Sequence, residues 1–118
     1  MRIVLVAALA VVLGGCGAFG VTCTLELRAG LNVAVFDASG DRVCTAQVVA
    51  RSADHEETLE VFPGPDAGDC VYTGLWERAG TFTVTATSAQ FDGQLEQTVT
   101  IEEDECHVIA ETLELRAK

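Results

Sequence analysis

The sequence has few basic residues, with seven Lys and Arg against 18 Asp and Glu and a formal net charge of −11 over 118 residues. Proteins that bind nucleic acid neutralise phosphates with clustered Lys and Arg side chains, and the chain has no such cluster. The same shortage leaves no basic patch that could attract anionic lipid headgroups. The composition therefore excludes nucleic acid as an expected partner, and with it any membrane contact that depends on basic side chains.

Histidine is also scarce, since His55 and His107 are the only two in the chain. A zinc centre of the carboxypeptidase kind needs two histidines and a glutamate, and neither histidine here is followed by Glu at the third position. The chain has no G-x-S-x-G motif, so Ser39, Ser52 and Ser88 are not expected to be nucleophiles. These absences predict a protein that is not an enzyme.

The N-terminus has the pattern of an export signal. Arg2 precedes an apolar run of 11 residues, 3–13, whereas a transmembrane helix needs about 20. The residues that follow, Leu13-Gly14-Gly15-Cys16, resemble the bacterial lipobox, in which the cysteine is lipidated and the signal is cleaved in front of it. The resemblance implies that Cys16 is a membrane anchor. The alternative is an ordinary cleaved signal with an incidental cysteine.

The lipobox divides the chain into a signal peptide at residues 1–15, a lipidated tether at residues 16–22 and a folded domain at residues 23–118. The six tether residues between the lipidated cysteine and Cys23 reach about 20 Å when extended, so the domain should lie close to the bilayer. Gly17 stands where an aspartate would resemble the signal for inner-membrane retention. The pattern therefore favours the outer membrane and leaves open which face of that membrane the domain occupies.

Four more cysteines, Cys23, Cys44, Cys70 and Cys106, follow the lipobox. Zinc ligands usually come in closely spaced pairs, and no two of these cysteines lie within 20 residues of each other. An even number of cysteines in an exported chain predicts two disulfides. Three pairings are possible, and the spacing does not choose among them. A reactive thiol at Cys106, beside His107, is the weaker alternative.

Apolar and polar residues alternate in several short runs, which is typical of strands with one buried face. In residues 81–88, Phe82, Val84 and Ala86 alternate with threonines. Four other runs are predicted to point the following residues inward: Leu31, Val33 and Val35; Cys44, Ala46, Val48 and Ala50; Val99 and Ile101; and Ile109, Leu113 and Leu115. Turn-forming residues separate the runs, so the pattern predicts an all-β fold, an antiparallel β-sandwich.

Residues 53–61 fit two structures. Ser52 could cap a short helix with Glu56 and Glu57 in its first turn, whereas residues 58–62 alternate as a strand does. Helix and strand therefore both remain open for this segment.

Three segments of the domain resemble the carboxypeptidase regulatory-like domains, and in particular the single-domain bacterial lipoproteins of that class. They are the turn at Asp37–Asp41, the ERAGTF segment at Glu77–Phe82 and the DECHV segment at Asp104–Val108. The resemblance covers nearly all of residues 23–116. It implies a transthyretin-like, also called prealbumin-like, Greek-key β-sandwich of about seven strands.

The resemblance also implies a disulfide pairing. In sandwiches of this type the first and last strands lie side by side and run parallel, which places Cys23 and Cys106 at the same end of the molecule. The expected disulfides are then Cys23–Cys106 and Cys44–Cys70, the second of which joins two junctions between a turn and a strand.

A cluster of acidic residues offers candidate metal ligands. Glu102, Glu103 and Asp104 carry the oxygen atoms that calcium prefers, but a solvated charged turn is the simpler interpretation, so no metal site is predicted. His107 is expected to pack or form a hydrogen bond at the start of the last strand. Trp76 is expected to be a partly buried strand residue.

The sequence thus predicts a noncatalytic binding or structural module that its N-terminal lipid holds to the outer membrane. Loops or an exposed sheet edge would recognise a protein, peptide or glycan that the sequence does not identify. The alternative function is an accessory subunit of an enzyme or transporter encoded elsewhere. No cofactor is expected.

Overall fold

The computed structural model describes residues 22–63 and 69–118, and within them the chain forms two β-sheets and no helix. The described strands are β1 (Ala29–Phe36), β2 (Gln47–Arg51), β3 (Glu56–Thr58), β4 (Glu60–Pro63), β5 (Cys70–Trp76), β6 (Gly80–Thr87), β7 (Leu95–Glu103), β8 (Val108–Ile109) and β9 (Glu111–Arg116). One sheet has the order β4-β5-β1-β9 and the other β3-β2-β6-β7-β8. The predicted all-β sandwich is confirmed.

The first and last strands lie side by side. β1 is antiparallel to β5 on one side and parallel to β9 on the other. The parallel register joins Leu31 to Glu111 at one end and Phe36 to Arg116 at the other. Every other pair of these strands is antiparallel, so the antiparallel description holds for all of the described strand pairs except this one.

Two segments change from one sheet to the other, which explains why the described residues form nine strands where about seven are expected. β3 pairs with β2 and β4 pairs with β5, so the chain crosses between the sheets at Leu59. The Leu59 side chain is buried, and its N–H donates to the carbonyl of Val48 at 2.8 Å. A second crossing falls at Ala110, between β8 and β9. Within residues 53–61 the chain therefore forms β3 and the start of β4, and no helix.

The core lies between the two sheets and confirms most of the predicted inward positions. The buried residues among them are Leu31, Val33, Val35, Val48, Ala50, Phe82, Val84, Ala86, Ile101, Leu113 and Leu115. Val99 is partly buried and packs against this cluster. Burying such side chains stabilises the fold by about 25 cal/mol for each Å² of apolar surface, so the alternation of each strand fixes which of its faces turns inward.

Two residues predicted to point inward, Cys44 and Ile109, do not do so. Cys44 precedes β2 and lies outside any strand, so alternation does not apply to it; it is exposed, and Val43 is buried in this segment instead. Ala46 lies in the same segment but is partly buried and packs against the core, as predicted. Ile109 is 47% exposed, and its neighbour Val108 is buried. The crossing between β8 and β9 shifts the alternation by one residue, which is why the inward positions of β9 do not extend back into β8.

The sandwich has two ends that are built from different connections. The entry end consists of residues 22–28, the turn at residues 77–79 and the turn at residues 104–107. The far end consists of the turn at residues 37–41, the loop at residues 88–94 and residues 116–118. Because β1 and β9 run parallel from the first end to the second, the N-terminal segment and the last residues of the chain lie at opposite ends.

Each end contains a disulfide. Cys23–Cys106 lies at the entry end, with Cα atoms 5.2 Å apart, and Cys44–Cys70 lies at the far end, with Cα atoms 5.3 Å apart. These are the two pairs that the family resemblance implies.

The predicted signal peptide and the predicted lipidation site at Cys16 lie outside the described residues. Within the ranges 22–63 and 69–118, no helix is long and apolar enough to cross a membrane.

Candidate functional site

The Glu77 carboxylate joins three separate segments at the entry end. Its Oε2 accepts hydrogen bonds from the Arg28 backbone N–H at 2.9 Å and from the His107 ring at 2.6 Å, and its Oε1 accepts from the Val108 N–H at 3.2 Å. The Glu77 N–H in turn donates to the Arg28 carbonyl at 2.9 Å. One side chain therefore connects the N-terminal segment, the turn after β5 and the start of β8.

These contacts set the ionisation of two carboxyl groups. Burial acts to raise the pKa of Glu77, but the hydrogen bonds from His107, Arg28 and Val108 outweigh it and lower the pKa below its ordinary value. The pKa of Asp104 is also lowered, because its Oδ1 accepts from the backbone N–H groups of His107 and Cys106. Backbone donors thus favour the charged form of both carboxylates, and for Glu77 the His107 ring does so as well.

His107 completes a hydroxyl, imidazole and carboxylate chain. Its Nδ1 lies 2.6 Å from the Glu77 carboxylate, and its Nε2 lies 2.9 Å from Thr24 Oγ1. In the neutral ring, donation from Nδ1 leaves Nε2 to accept the Thr24 hydroxyl proton, which is the order of groups in a nucleophile triad. This chain of groups lies at the entry end of the sandwich, whereas the larger of the two grooves described below lies at the far end.

The turn that carries Glu77 has a backbone conformation that side chains rarely adopt. Leu75 has φ 55° and Glu77 has φ 50°, a region in which each non-glycine residue costs about 1–3 kcal/mol. A second carboxylate supports the turn, since Glu57 Oε2 accepts from the Leu75 N–H at 2.9 Å and Glu57 Oε1 lies 2.8 Å from the ring of His55. Both histidines of the protein thus bind a glutamate that holds this turn.

The far end contains a groove of about 560 Å³. Phe91 and Leu95 supply apolar side chains to it, and Arg116 and Lys118 supply the cationic ones. A smaller groove of about 370 Å³ continues from it, because Leu95, Arg116 and Lys118 line both. Together they follow the gap between the start of β7 and the end of β9.

The strands on either side of this groove have unpaired edges in the described part of the chain. β9 is the last strand of its sheet, and β8 pairs only with Glu102 and Glu103 at the end of β7. Residues 95–101 of β7 therefore pair with β6 alone. An unpaired edge presents backbone N–H and C=O groups that can bind another extended chain.

Contacts between two arginine side chains and one aromatic ring support the cationic wall of the groove. The Arg116 guanidinium lies 4.1 Å from the centre of the Phe36 ring, and the Arg42 guanidinium lies 5.2 Å from it. Arg116 also forms an ion pair with Glu114 at 2.9 Å, and Arg42 donates to the Cys70 carbonyl at 3.1 Å. The cationic wall is thus held against β1 through the Phe36 ring, and Arg42 connects that ring to Cys70 of the far-end disulfide.

The acidic candidates Glu102, Glu103 and Asp104 do not form a metal-binding group. Glu102 and Glu103 are exposed consecutive residues of β7, and Asp104 uses Oδ1 for the turn described above. In residues 22–63 and 69–118, no three His, Cys, Asp or Glu side chains are placed to hold a metal ion.

Comparison of the chain with family models, with curated proteins and with solved structures finds no match.

Neither end was identified as a site from the sequence. In the sequence Glu77 belongs only to the ERAGTF segment, and its partner His107 is 30 residues away. His107 does form hydrogen bonds at the start of β8, in the way its interpretation as a structural residue requires. The groove depends on which strands become sheet edges, and alternation within a strand carries no information about that.

Proposed function

We propose that this protein is an exported bacterial lipoprotein, anchored to the outer membrane through Cys16, whose β-sandwich is a noncatalytic binding module. The lipobox-like residues 13–16 support the anchor. The two disulfides support export, because such bonds persist in oxidising compartments. A transthyretin-type Greek-key topology of the carboxypeptidase regulatory-like class is part of the same proposal, supported by the parallel pairing of β1 with β9.

The groove between β7 and β9 is the proposed binding site, and the observation that carries it is its position. It lies at the far end, whereas Cys23, which the predicted tether precedes in the sequence, lies at the entry end. A ligand would thus reach it without obstruction from the membrane. An extended peptide segment of a partner protein fits it best, because the two unpaired edges offer backbone hydrogen bonds and the groove offers apolar contacts.

A crosslinking comparison tests this site. A photoreactive amino acid replaces Gln97, which is exposed on β7 and lines the groove. In a second variant it replaces Gln47, which is exposed on β2, the strand on the opposite side of β6 in the same sheet. We expect a discrete crosslinked partner from position 97 and none from position 47 in intact cells. Equal crosslinking from both positions, or none from either, would contradict the groove as the site.

The identity of the crosslinked partner separates the two function classes. A partner that is an enzyme or a transporter component would favour the alternative, an accessory subunit. The same partner should be lost when Arg116→Ala removes one cationic wall of the groove.

The noncatalytic part of the proposal is tested separately because Thr24, His107 and Glu77 have the order of a hydrolytic triad. The purified protein is expected to show no hydrolysis across panels of peptides, esters and glycosides. Hydrolysis that disappears in His107→Asn would overturn this and assign the entry end a catalytic role.

The anchor is tested by Cys16→Ser. The wild-type protein should incorporate a fatty-acid probe and fractionate with membranes, and the variant should do neither. A variant that still labels with the probe would show that the lipobox interpretation is wrong.

A further inference from the structure

Large apolar side chains are exposed mainly at one end of the molecule. Of the six that are exposed in the described residues, four belong to the entry end or to the strand ends that join it. Leu25 is 99% exposed, Leu27 69%, Trp76 47% and Ile109 47%. Single exposed hydrophobic residues are ordinary, but a concentration of them at one end is typical of a surface that contacts a membrane or another protein. We call these four residues the entry-end apolar set.

The segments that carry these four residues are connected to one another at the entry end. Leu25 and Leu27 lie on the segment whose ends are fixed by the Thr24–His107 hydrogen bond and the Arg28–Glu77 bonds. Trp76 is the direct strand partner of Ala29, next to Arg28. Ile109 follows His107 by two residues, in β8. The Glu77 contacts therefore attach all three segments that carry the apolar set to a single carboxylate.

The length of the tether decides what this surface faces. Cys23 is fixed to the entry end by its disulfide with Cys106. Only six residues separate Cys23 from Cys16, a reach of about 20 Å. If Cys16 carries the acyl chains, the entry end can move no further than that from the bilayer. The apolar set is then the part of the described domain nearest the lipid.

We propose that the entry end docks on the lipid surface, with Trp76, Leu25, Leu27 and Ile109 entering the interfacial region of the bilayer. This inference rests on the proposed lipid anchor, but it adds a second point of membrane contact that fixes the orientation of the domain. Tryptophan suits this position because its ring is apolar and its N–H can remain in the hydrated headgroup layer. The groove at the far end then points away from the membrane.

The charges around the apolar set define the lipid chemistry. Four acidic residues lie at the same end against two basic ones: Glu26, Glu77, Asp104 and Glu105 against Arg28 and Arg78. Arg28 is already paired with Glu26 at 3.0 Å. The contact therefore depends on apolar insertion and not on attraction to anionic headgroups, and it should be stronger on zwitterionic lipid than on lipid rich in phosphatidylglycerol.

Trp76 is the only tryptophan in the chain, which allows a direct measurement. The full lipidated protein is reconstituted into phosphatidylcholine vesicles whose acyl chains carry bromine, a quencher that acts at contact range. We expect Trp76 emission to be blue-shifted relative to that of a water-exposed indole, and to be strongly quenched relative to vesicles without bromine. Replacing half of the lipid with phosphatidylglycerol that carries the same brominated chains keeps the bromine content constant and should reduce the quenching.

A matched control moves the tryptophan to the other end. In the double variant Trp76→Phe with Phe91→Trp, the single indole lies at the groove, and its emission should be unaffected by brominated lipid. Equal quenching of both proteins would overturn the proposed orientation. Unquenched Trp76 in vesicle-bound protein would overturn the docking surface while leaving the lipid anchor intact. Protein that carries no lipid and does not bind vesicles would instead contradict both proposals.

Discussion

The two ends of the sandwich are closed in different ways. At the entry end, Glu77 binds the N-terminal segment, the ring of His107 and the start of β8, and a disulfide that spans 83 residues closes the same region. At the far end, the disulfide spans 26 residues and a groove remains between β7 and β9. Side-chain hydrogen bonds thus hold the N-terminal segment in place at the entry end, whereas the far end, which has side-chain hydrogen bonds of its own, keeps an open groove.

This asymmetry follows from the topology. A parallel pair between the first and last strands places the start of both at one end, so residues 22–28 and residues 104–107 meet there. The crossing at Ala110 takes β9 into the other sheet, which leaves most of β7 without a second neighbour in the described chain. The same crossing thus brings His107 to Glu77 and opens the groove.

The largest expected effect compares the two disulfides. In the chain-entropy treatment, removing the longer crosslink costs about 4.5 kcal/mol and removing the shorter costs about 3.5 kcal/mol. We expect Cys23→Ser with Cys106→Ser to lower the free energy of unfolding more than Cys44→Ser with Cys70→Ser, as measured by urea denaturation. A larger loss from the far-end pair would reverse the comparison between the ends.

A smaller loss of unfolding free energy is expected when the buried Tyr72 hydroxyl is removed from the far end. The Tyr72 hydroxyl donates to the Val43 carbonyl at 2.7 Å and accepts from the Ala46 N–H at 3.0 Å. Tyr72→Phe leaves both backbone groups unpaired, at a cost of about 1–3 kcal/mol. The control is Thr81→Val, which removes an exposed hydroxyl on β6 and should change unfolding very little. Equal effects of the two variants would show that the phenol does not anchor this segment.

The entry end should determine the response to acid. Because the folded-state pKa of Glu77 is lowered, the unfolded chain takes up more protons than the folded chain as pH falls below about 4.3, the ordinary value for Glu. The stability that Glu77 contributes is therefore present above that pH and is lost as pH falls through the lowered pKa. Glu77→Gln should be less stable near neutrality and lose less stability on acidification.

The control for this measurement is Glu96→Gln, an exposed position at the far-end start of β7. Unfolding is followed by denaturant titration at several pH values. An acid response that is the same in wild type and in Glu77→Gln would mean that the carboxylate network does not stabilise the folded chain.

Most of the fold could be predicted from period-two alternation, because burial of one strand face leaves a direct mark on the sequence. Phe82, Val84 and Ala86 illustrate this, and all three are buried. The alternation failed at Cys44 and Ile109, where the chain is irregular or about to change sheets. A residue pattern within one strand does not show which sheet that strand joins.

The candidate site was less predictable for a related physical reason. Thr24, Glu77 and His107 come from three distant parts of the chain, and they meet because β1 pairs with β5 on one side and with β9 on the other. That pairing and the disulfide pairs were expected from a family resemblance and not from periodicity. The groove has no local sequence signal, because it is formed by edges that other strands do not cover.

The central claim is that a lipid at Cys16 holds this domain to a membrane by its entry end. Mass spectrometry of the N-terminal peptide of protein extracted from membranes tests it most directly. We predict a mature chain that begins at Cys16 and carries the added mass of a diacylglyceryl group and an N-linked acyl chain. A chain that begins at another residue, or that begins at Cys16 without that added mass, would contradict the account.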